Sequence, residues 1–214
     1  ETKKNITFTT NTPSNSSSQQ TRKIKVPHAR SWDDFWNIMY SLISKDEPLI
    51  LEIGAHYGVW SKKFTQLFKN PTIYMFECDP RCLKRIKEEF SELPKINIVN
   101  KAISNQNSNI TFFQSSSKEK VWDYSGSINP YKGHRISHPS CEFRALTVEG
   151  ITLDNWAKDN NIQNADLITL DVIGAELEVL KGGENTFKQA KYILIRNYRD
   201  KTAPQLHSYL KELK

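Results

Sequence analysis

Two carboxylates close short apolar runs in this chain, each at a point where a strand would hand a ligand its end. Glu52 lies within Leu49-Ile50-Leu51-Glu52-Ile53, and the run continues into Gly54-Ala55-His56-Tyr57-Gly58, an acid and two glycines spaced E-x-G-x-x-x-G. Glu77 follows Thr72-Ile73-Tyr74-Met75-Phe76 and precedes Cys78-Asp79-Pro80. Gly54 suits a tight turn with backbone close to a ligand, and Gly58 lets the next helix start tight against the strand. The free N–H groups of that helix favour a carboxylate or a phosphate. Glu52 and Glu77 stand 25 residues apart, near the ~20 that separate a Gly-rich turn from a ribose-binding acid in nucleotide folds. Glu77 is therefore expected to accept the ribose hydroxyls. The plainer readings are an ordinary strand-to-helix turn for the glycines and a solvated strand-end acid for Glu77.

Dinucleotide binding prefers G-x-G-x-x-G, whereas His56 stands two residues after Gly54. Glu52 also fits badly beside a pyrophosphate and well beside a positive charge, such as a sulfonium or an amine. That contrast favours S-adenosylmethionine over NAD. The expected cofactor contacts are Glu52, Gly54, Ala55, His56, Tyr57 and Gly58, then Glu77 and Cys78. Ala102 and Ile103, after the third strand, are expected to face the adenine, and Asp171, at the end of the fourth, to lie nearest the reacting centre.

Asp171 and His56 are the candidate catalytic residues. Asp171 would receive the cofactor's amino group or take a hydroxyl proton; its alternative is to cap the helix from Ala175. His56 could be the base, as could His134 or His138, because histidine titrates near working pH. A surface histidine is the competing reading for each. Glu176 falls in a first helical turn, where negative charge suits the helix dipole. Tyr57, Trp122, Tyr124 and Tyr131 could wall a sugar ring or a sulfonium, or simply pack. Cys78, Cys82 and Cys141 have no metal-ligand spacing, and no metal is expected.

These residues need strands that end together. Helical spacing of Trp32, Phe35, Trp36, Met39, Leu42 and Ile43 follows a Ser31 cap with Asp34 three residues on. Strands are then predicted at 49–53, 72–76, 96–99, 110–113, 167–171 and 192–196, and helices at 59–68, 81–93, 154–159, 175–189 and 204–213. Such alternation is the signature of an α/β fold with a doubly wound, mostly parallel sheet and helices on both faces. Residues 115–140 lack periodicity and read as a long loop or lid.

The chain of 214 residues fits one domain. Residues 1–22 are mostly Thr, Asn, Ser, Gln and Lys, with Ile6 and Phe8 the only large apolar side chains, so they read as a polar linker or disordered arm before a domain at 23–214. No apolar run approaches the roughly 20 residues of a membrane span, and three cysteines leave an odd thiol, so a soluble, cytoplasmic protein is expected. Net charge is +6, but the basic residues are spread out in pairs, which makes nucleic acid the less favoured partner.

Glu52–Gly58, Phe76–Pro80, Lys101–Ser104, Gly150–Asp154 and above all Asp171-Val-Ile-Gly-Ala-Glu-Leu-Glu-Val-Leu-Lys-Gly182 resemble the FkbM family of S-adenosylmethionine-dependent methyltransferases. The resemblance runs in order from about Leu49 to Ile195. It implies a class I, Rossmann-like methyltransferase that methylates hydroxyls, often of sugars or polyketides. Two positions depart from the family pattern. Ile173 stands where an acid is usual, as in D-V-E-G, and Arg196 stands where an acid usually follows the last strand. The chain also ends after one further helix, where class I sheets normally add two strands, so those strands are expected to be cut away or replaced by another chain. The reading is an O-methyltransferase of a sugar or glycan acceptor, fused to or working with glycosyltransferase domains. An RNA or cap methyltransferase and a catalytically altered cofactor-binding module are the alternatives.

Overall fold

A computed structural model describes residues 5–10, 31–118, 122–129, 139–197 and 203–213. The apolar runs are strands because each carries side chains for two packed layers at once. In β2 (Leu49–Ile53), Leu51 and Ile53 enter one core and Ile50 the other; in β3 (Thr72–Glu77), Phe76 joins the first while Ile73 and Met75 join the second. The second core is closed by α1 (Trp32–Ile43), α2 (Val59–Leu67) and α3 (Pro80–Phe90) through Phe35, Met39, Phe64, Ile86 and Phe90. The Ser31 side chain caps α1 by accepting from the Asp34 N–H at 3.1 Å, as its spacing predicts.

The chain then runs through β4 (Ile96–Asn100), β5 (Ala102–Ile103), β6 (Asn109–Ser117), β7 (Cys141–Ile151), α4 (Leu153–Asp159), β8 (Leu167–Leu170), α5 (Glu176–Gly182), α6 (Glu184–Gln189), β9 (Tyr192–Asn197) and α7 (Ala203–Glu212). Leu153, Trp156, Val179, Leu180, Phe187 and Leu206 from these helices build the first core. With β1 (Asn5–Thr10), six strands form one sheet in the order β1-β9-β8-β2-β3-β4. All neighbouring pairs are parallel except β1 with β9. The order reverses between β2 and β8, so their carboxyl ends open the crevice where ligands bind in such sheets. The doubly wound α/β expectation holds.

Three features correct the sequence reading. Asn5–Thr10 lies inside the expected arm of residues 1–22 yet pairs antiparallel with β9, Ile6 opposite Arg196 and Thr10 opposite Tyr192. Its Ile-Thr-Phe-Thr-Thr run is β-prone despite its polarity, and it pairs along the β9 edge, where another chain is one expected cover. The predicted helix over 175–189 is two helices, interrupted at Gly182-Gly183, which are weak helix formers. Residues 141–151 form an eleven-residue strand, β7, antiparallel to β6 and parallel to β5. Among the described residues, no helix is long and apolar enough to cross a membrane.

Candidate active site

The turn Gly54–Gly58 is built against its neighbours' backbones. Gly54 has φ +82°, and a Cβ there would fall 2.5 Å from the Asp171 carbonyl oxygen, so the turn lies flat on the end of β8. Asp171 N–H in turn donates to Ile53 O at 3.0 Å. The N–H groups of Gly54 and Ala55 both donate to Phe76 O at 3.0 Å, which ties the turn to β3 as well. At Gly58 a Cβ would meet Phe90 at 2.5 Å, and helix α2 begins there without a side-chain cap. Close approach by Gly54 is therefore to β8, and the sequence expectation of a tight helix start at Gly58 matches the structure.

Glu52 shares the face of Ile50, so its carboxyl enters the core beneath α2, where it is 3% exposed and accepts from the Ser61 hydroxyl. Burial, with the charges of Asp171 and Glu77 adding to it, pushes its pKa up to about 8. Glu77 is not a solvated strand-end acid: it is 9% exposed, and its Oε2 accepts from the His56 N–H at 2.7 Å. Its Oε1 accepts from the N–H groups of Cys78 at 2.7 Å and Asp79 at 2.8 Å. Burial raises its pKa and the three N–H donors oppose the rise. A carboxylate offers about four acceptor positions, so three bonds leave room for one ligand hydroxyl. Asp79 caps α3 through the Arg81 N–H and also accepts from Gln114 Nε2 at 2.8 Å. Burial works against its charge, but Arg81 and Gln114 outweigh it and hold its pKa low. Burial pushes the Cys78 thiol up, so it stands neutral beside the crevice.

Asp171 does not stand alone at the end of β8. Arg196 Nη1 donates to its Oδ2 at 2.8 Å across β8 and β9. Glu176, in the first turn of α5, accepts from the Gly174 N–H at 3.3 Å in the turn before the helix, and among the described residues α5 has no side-chain cap from Asp171 or any other residue. Ala102 and Ile103 form β5 against Gly150 and Ile151 of β7, and the Ile103 side chain belongs to the core. The Ile103 side chain is therefore not available to a ligand.

His56 adopts φ +51°, a left-handed conformation that a non-glycine residue keeps only under local constraint. Its ring sits 4.0 Å from that of Tyr57 and 4.8 Å from that of Tyr124, which is 64% exposed. Burial pulls its imidazole pKa down and Asp123 pulls the other way. Asp123, absent from the sequence reading, is 4% exposed, accepts from the Tyr57 hydroxyl and has Oδ1 3.4 Å from His56 Nε2. An acid in a polar loop gives no periodicity to find it by; only tertiary folding carries it to His56. Arg85 covers the far side of Tyr57, 4.0 Å above the ring.

Segment 122–129 is fastened over this corner. Ser127 exchanges two backbone bonds with Phe113 of β6, its hydroxyl donates to Ile173 O, and Asn129 Nδ2 donates to Gly174 O at 3.1 Å. Trp122 donates from its indole to Ser125 Oγ at 2.9 Å, so it holds the loop's own shape. Tyr131, His134 and His138 lie outside the described residues. The structure thus brings His56, Tyr57, Glu77 and Asp171 together beyond the strand ends and adds Asp123 and Arg196, whereas the Glu52 carboxyl, expected to contact a cofactor, is turned into the core beneath α2.

Residues 52–214 match the model of the methyltransferase FkbM domain. The chain is 35% identical over 156 residues to the 2-O-methyltransferase NoeI of Sinorhizobium fredii (strain NBRC 101917 / NGR234), covering 72% of this chain and 64% of that protein. It thus spans less than two-thirds of this relative's length. It is 26% identical over 99 residues to malonyl-[acyl-carrier protein] O-methyltransferase 1 of Ilyobacter polytropus, covering 42% of this chain and 37% of that one. A solved structure of precorrin-6y C5,15-methyltransferase from Geobacter metallireducens GS-15 superposes with TM-score 0.48 at 11% identity, over 87% of this chain and 73% of the other. With the family model matching from the end of β2 to the end of the chain, well over half of its length, this chain belongs to the FkbM methyltransferase domain family.

Proposed function

We propose that this protein is an S-adenosylmethionine-dependent O-methyltransferase acting on a hydroxyl of a sugar or glycan. The observation that carries the reading is the acid-lined crevice at the ends of β2, β3 and β8. Glu77 and Asp171 border it with their carboxyl groups, while Glu52, buried beneath α2 and held largely protonated near neutral pH, adds no charge of its own, so the crevice suits a ligand that brings hydroxyl and amino donors. The residues fit the cofactor: the Gly54–Gly58 turn and the uncapped start of α2 would hold its methionine part, Glu77 its ribose, and the Lys101–Ile103 backbone its base. S-adenosylmethionine supplies an electrophilic methyl group on a sulfonium whose sulfur leaves neutral.

The chain's own residues then have to hold the acceptor and remove its proton. Asp171, held by Arg196, positions, whereas His56, with burial keeping its imidazole neutral, is the better base. Tyr57 and Tyr124 flank His56 and offer ring faces to a sugar. The O-methyltransferase names of these two relatives support transfer to oxygen, and that of NoeI supports an oxygen at a numbered position 2. A glycan acceptor also fits dispersed basic pairs better than a nucleic acid does. Titrating S-adenosylmethionine and its demethylated product by calorimetry tests the cofactor. Screening methyl transfer over mono- and oligosaccharide glycosides at two salt concentrations tests the acceptor, because a nucleic-acid substrate would lose affinity steeply with salt. Absence of heat with either cofactor form would end the reading.

A further inference from the structure

Asp123 sits in the middle of a polar loop yet has lost nearly all contact with water. The protein returns one bond to it, from the Tyr57 hydroxyl to Oδ2. Its other oxygen, Oδ1, lies 3.4 Å from His56 Nε2 without forming a hydrogen bond to it, and these two buried atoms have no hydrogen-bond partner among the described residues. A buried, unpaired carboxylate oxygen costs free energy that a loop would not bear for packing alone. The group it faces is an imidazole, whose Nε2 at 3.4 Å is close enough to supply the missing donor. Such a bond fixes the tautomer: the proton is on Nε2 and the lone pair on Nδ1.

We propose that Asp123 is the positioning residue of the catalytic base, holding His56 with Nε2–H toward Oδ1 so that Nδ1 takes the proton of the acceptor hydroxyl. The proposal rests on the O-methyl-transfer reading. The balance is closed: the hydroxyl proton goes to Nδ1, the freed oxygen pair forms the O–CH3 bond, and the electron pair of the broken S–C bond stays on sulfur. One positive charge moves from the sulfonium to the imidazolium, which then faces Asp123. His56 is constrained for this role at its backbone by Glu77 and at its ring by Tyr57 and Tyr124. The loop that delivers Asp123 is tied to Ile173 and Gly174 just beyond β8, which fixes where Asp123 stands. The charges facing His56 are Asp123 from the loop, Asp79 from the head of α3 and Asp171 from β8, with Glu77 on its N–H and Arg85 across Tyr57.

Nitrogen NMR of the wild-type imidazole tests the arrangement without any substrate. His56 is expected in the Nε2–H tautomer, and an Nδ1–H tautomer would overturn the proposal. Asp123→Asn keeps the acceptor for Tyr57 and removes the charge, so the His56 pKa should fall by about one unit or more; a value within about 0.3 unit of wild type overturns it. Methyl transfer to the best glycoside of the screen should lose at least about tenfold in kcat with KM little changed. Its acid limb should move with the His56 titration, and in a His56→Gln background Asp123→Asn should add nothing. Additive losses would mean that Asp123 acts elsewhere. Calorimetry separates the two readings: failure of the wild type to bind S-adenosylmethionine ends the methyl-transfer reading, while the NMR titration alone decides whether Asp123 positions His56. If Asp123→Asn does not fold, the wild-type tautomer still decides.

Discussion

Arg196 Nη1 lies 2.8 Å from Asp171 Oδ2, so the ends of β8 and β9 are joined by an ion pair at the mouth of the crevice. Arg196 is one of the two residues that depart from the family pattern, and its partner is the acid expected nearest the reacting centre. With its charge met by a guanidinium, Asp171 is suited to holding a ligand in place and poorly suited to removing a proton. Asp171→Asn should therefore weaken S-adenosylmethionine binding about tenfold, or 1.4 kcal/mol, while kcat at saturating cofactor changes less. Calorimetry and steady-state rates separate the two effects. A loss confined to kcat would return Asp171 to the role of base.

Glu77 holds three backbone N–H groups and has one acceptor position to spare, so its removal should act on folding and binding together. Glu77→Ala should weaken cofactor binding by about 1–3 kcal/mol and lower the Tm by several degrees, because His56, Cys78 and Asp79 lose their acceptor. Glu77→Gln keeps a carbonyl oxygen and should recover part of the stability but little of the affinity. Thermal melts and calorimetry on both variants check this.

Glu52 links stability to pH. Folding raises its pKa from 4.5 to about 8, so across that window the folded protein keeps a proton that the unfolded chain has released. Its contribution is complete below about pH 4.5 and declines as pH rises toward 8. Glu52→Gln cannot titrate, and the difference in Tm between variant and wild type should grow in the variant's favour from pH 5 to pH 8. A pH-independent difference would show that the acid is paired in a way the Ser61 bond does not reveal.

The closing segment depends on few bonds. Ser127→Ala and Asn129→Ala remove its ties to Ile173 and Gly174 and should speed amide hydrogen exchange over 122–129 by about tenfold or more, with the Tm nearly unchanged. Exchange as slow as in wild type would mean that the Phe113–Ser127 backbone pair suffices to hold the loop.

Strand β1 covers the edge of β9, and deleting residues 1–10 should expose six residues of paired backbone. Loss of several degrees of Tm and concentration-dependent association are expected, since an open edge strand recruits other strands. Light scattering and melting of the truncated chain test this. An unchanged monomer would return this segment to the linker that its composition suggests.

Local chemistry was enough to read the scaffold. The runs at 49–53, 72–77, 167–170 and 192–197 are apolar on both faces, which only a strand between two helical layers satisfies, and the glycines of 54–58 mark where the first of them turns. The sequence also drew attention to Glu52, Glu77, His56 and Asp171, because residues at or just after the ends of parallel strands lie along one edge of the sheet. It could not assign their states. Glu52 is a proton-holding acid because its strand face points under α2, and Glu77 is buried because the turn folds back over it. Strands β1 and β7 escaped notice because neither has a fully apolar face; each exists through its partner's backbone bonds. Asp123 and Arg196 gain their meaning only from residues 67 and 25 positions away, His56 and Asp171. Such contacts depend on how the closing loop and the last strand pack, a property of the folded chain that no spacing along it encodes.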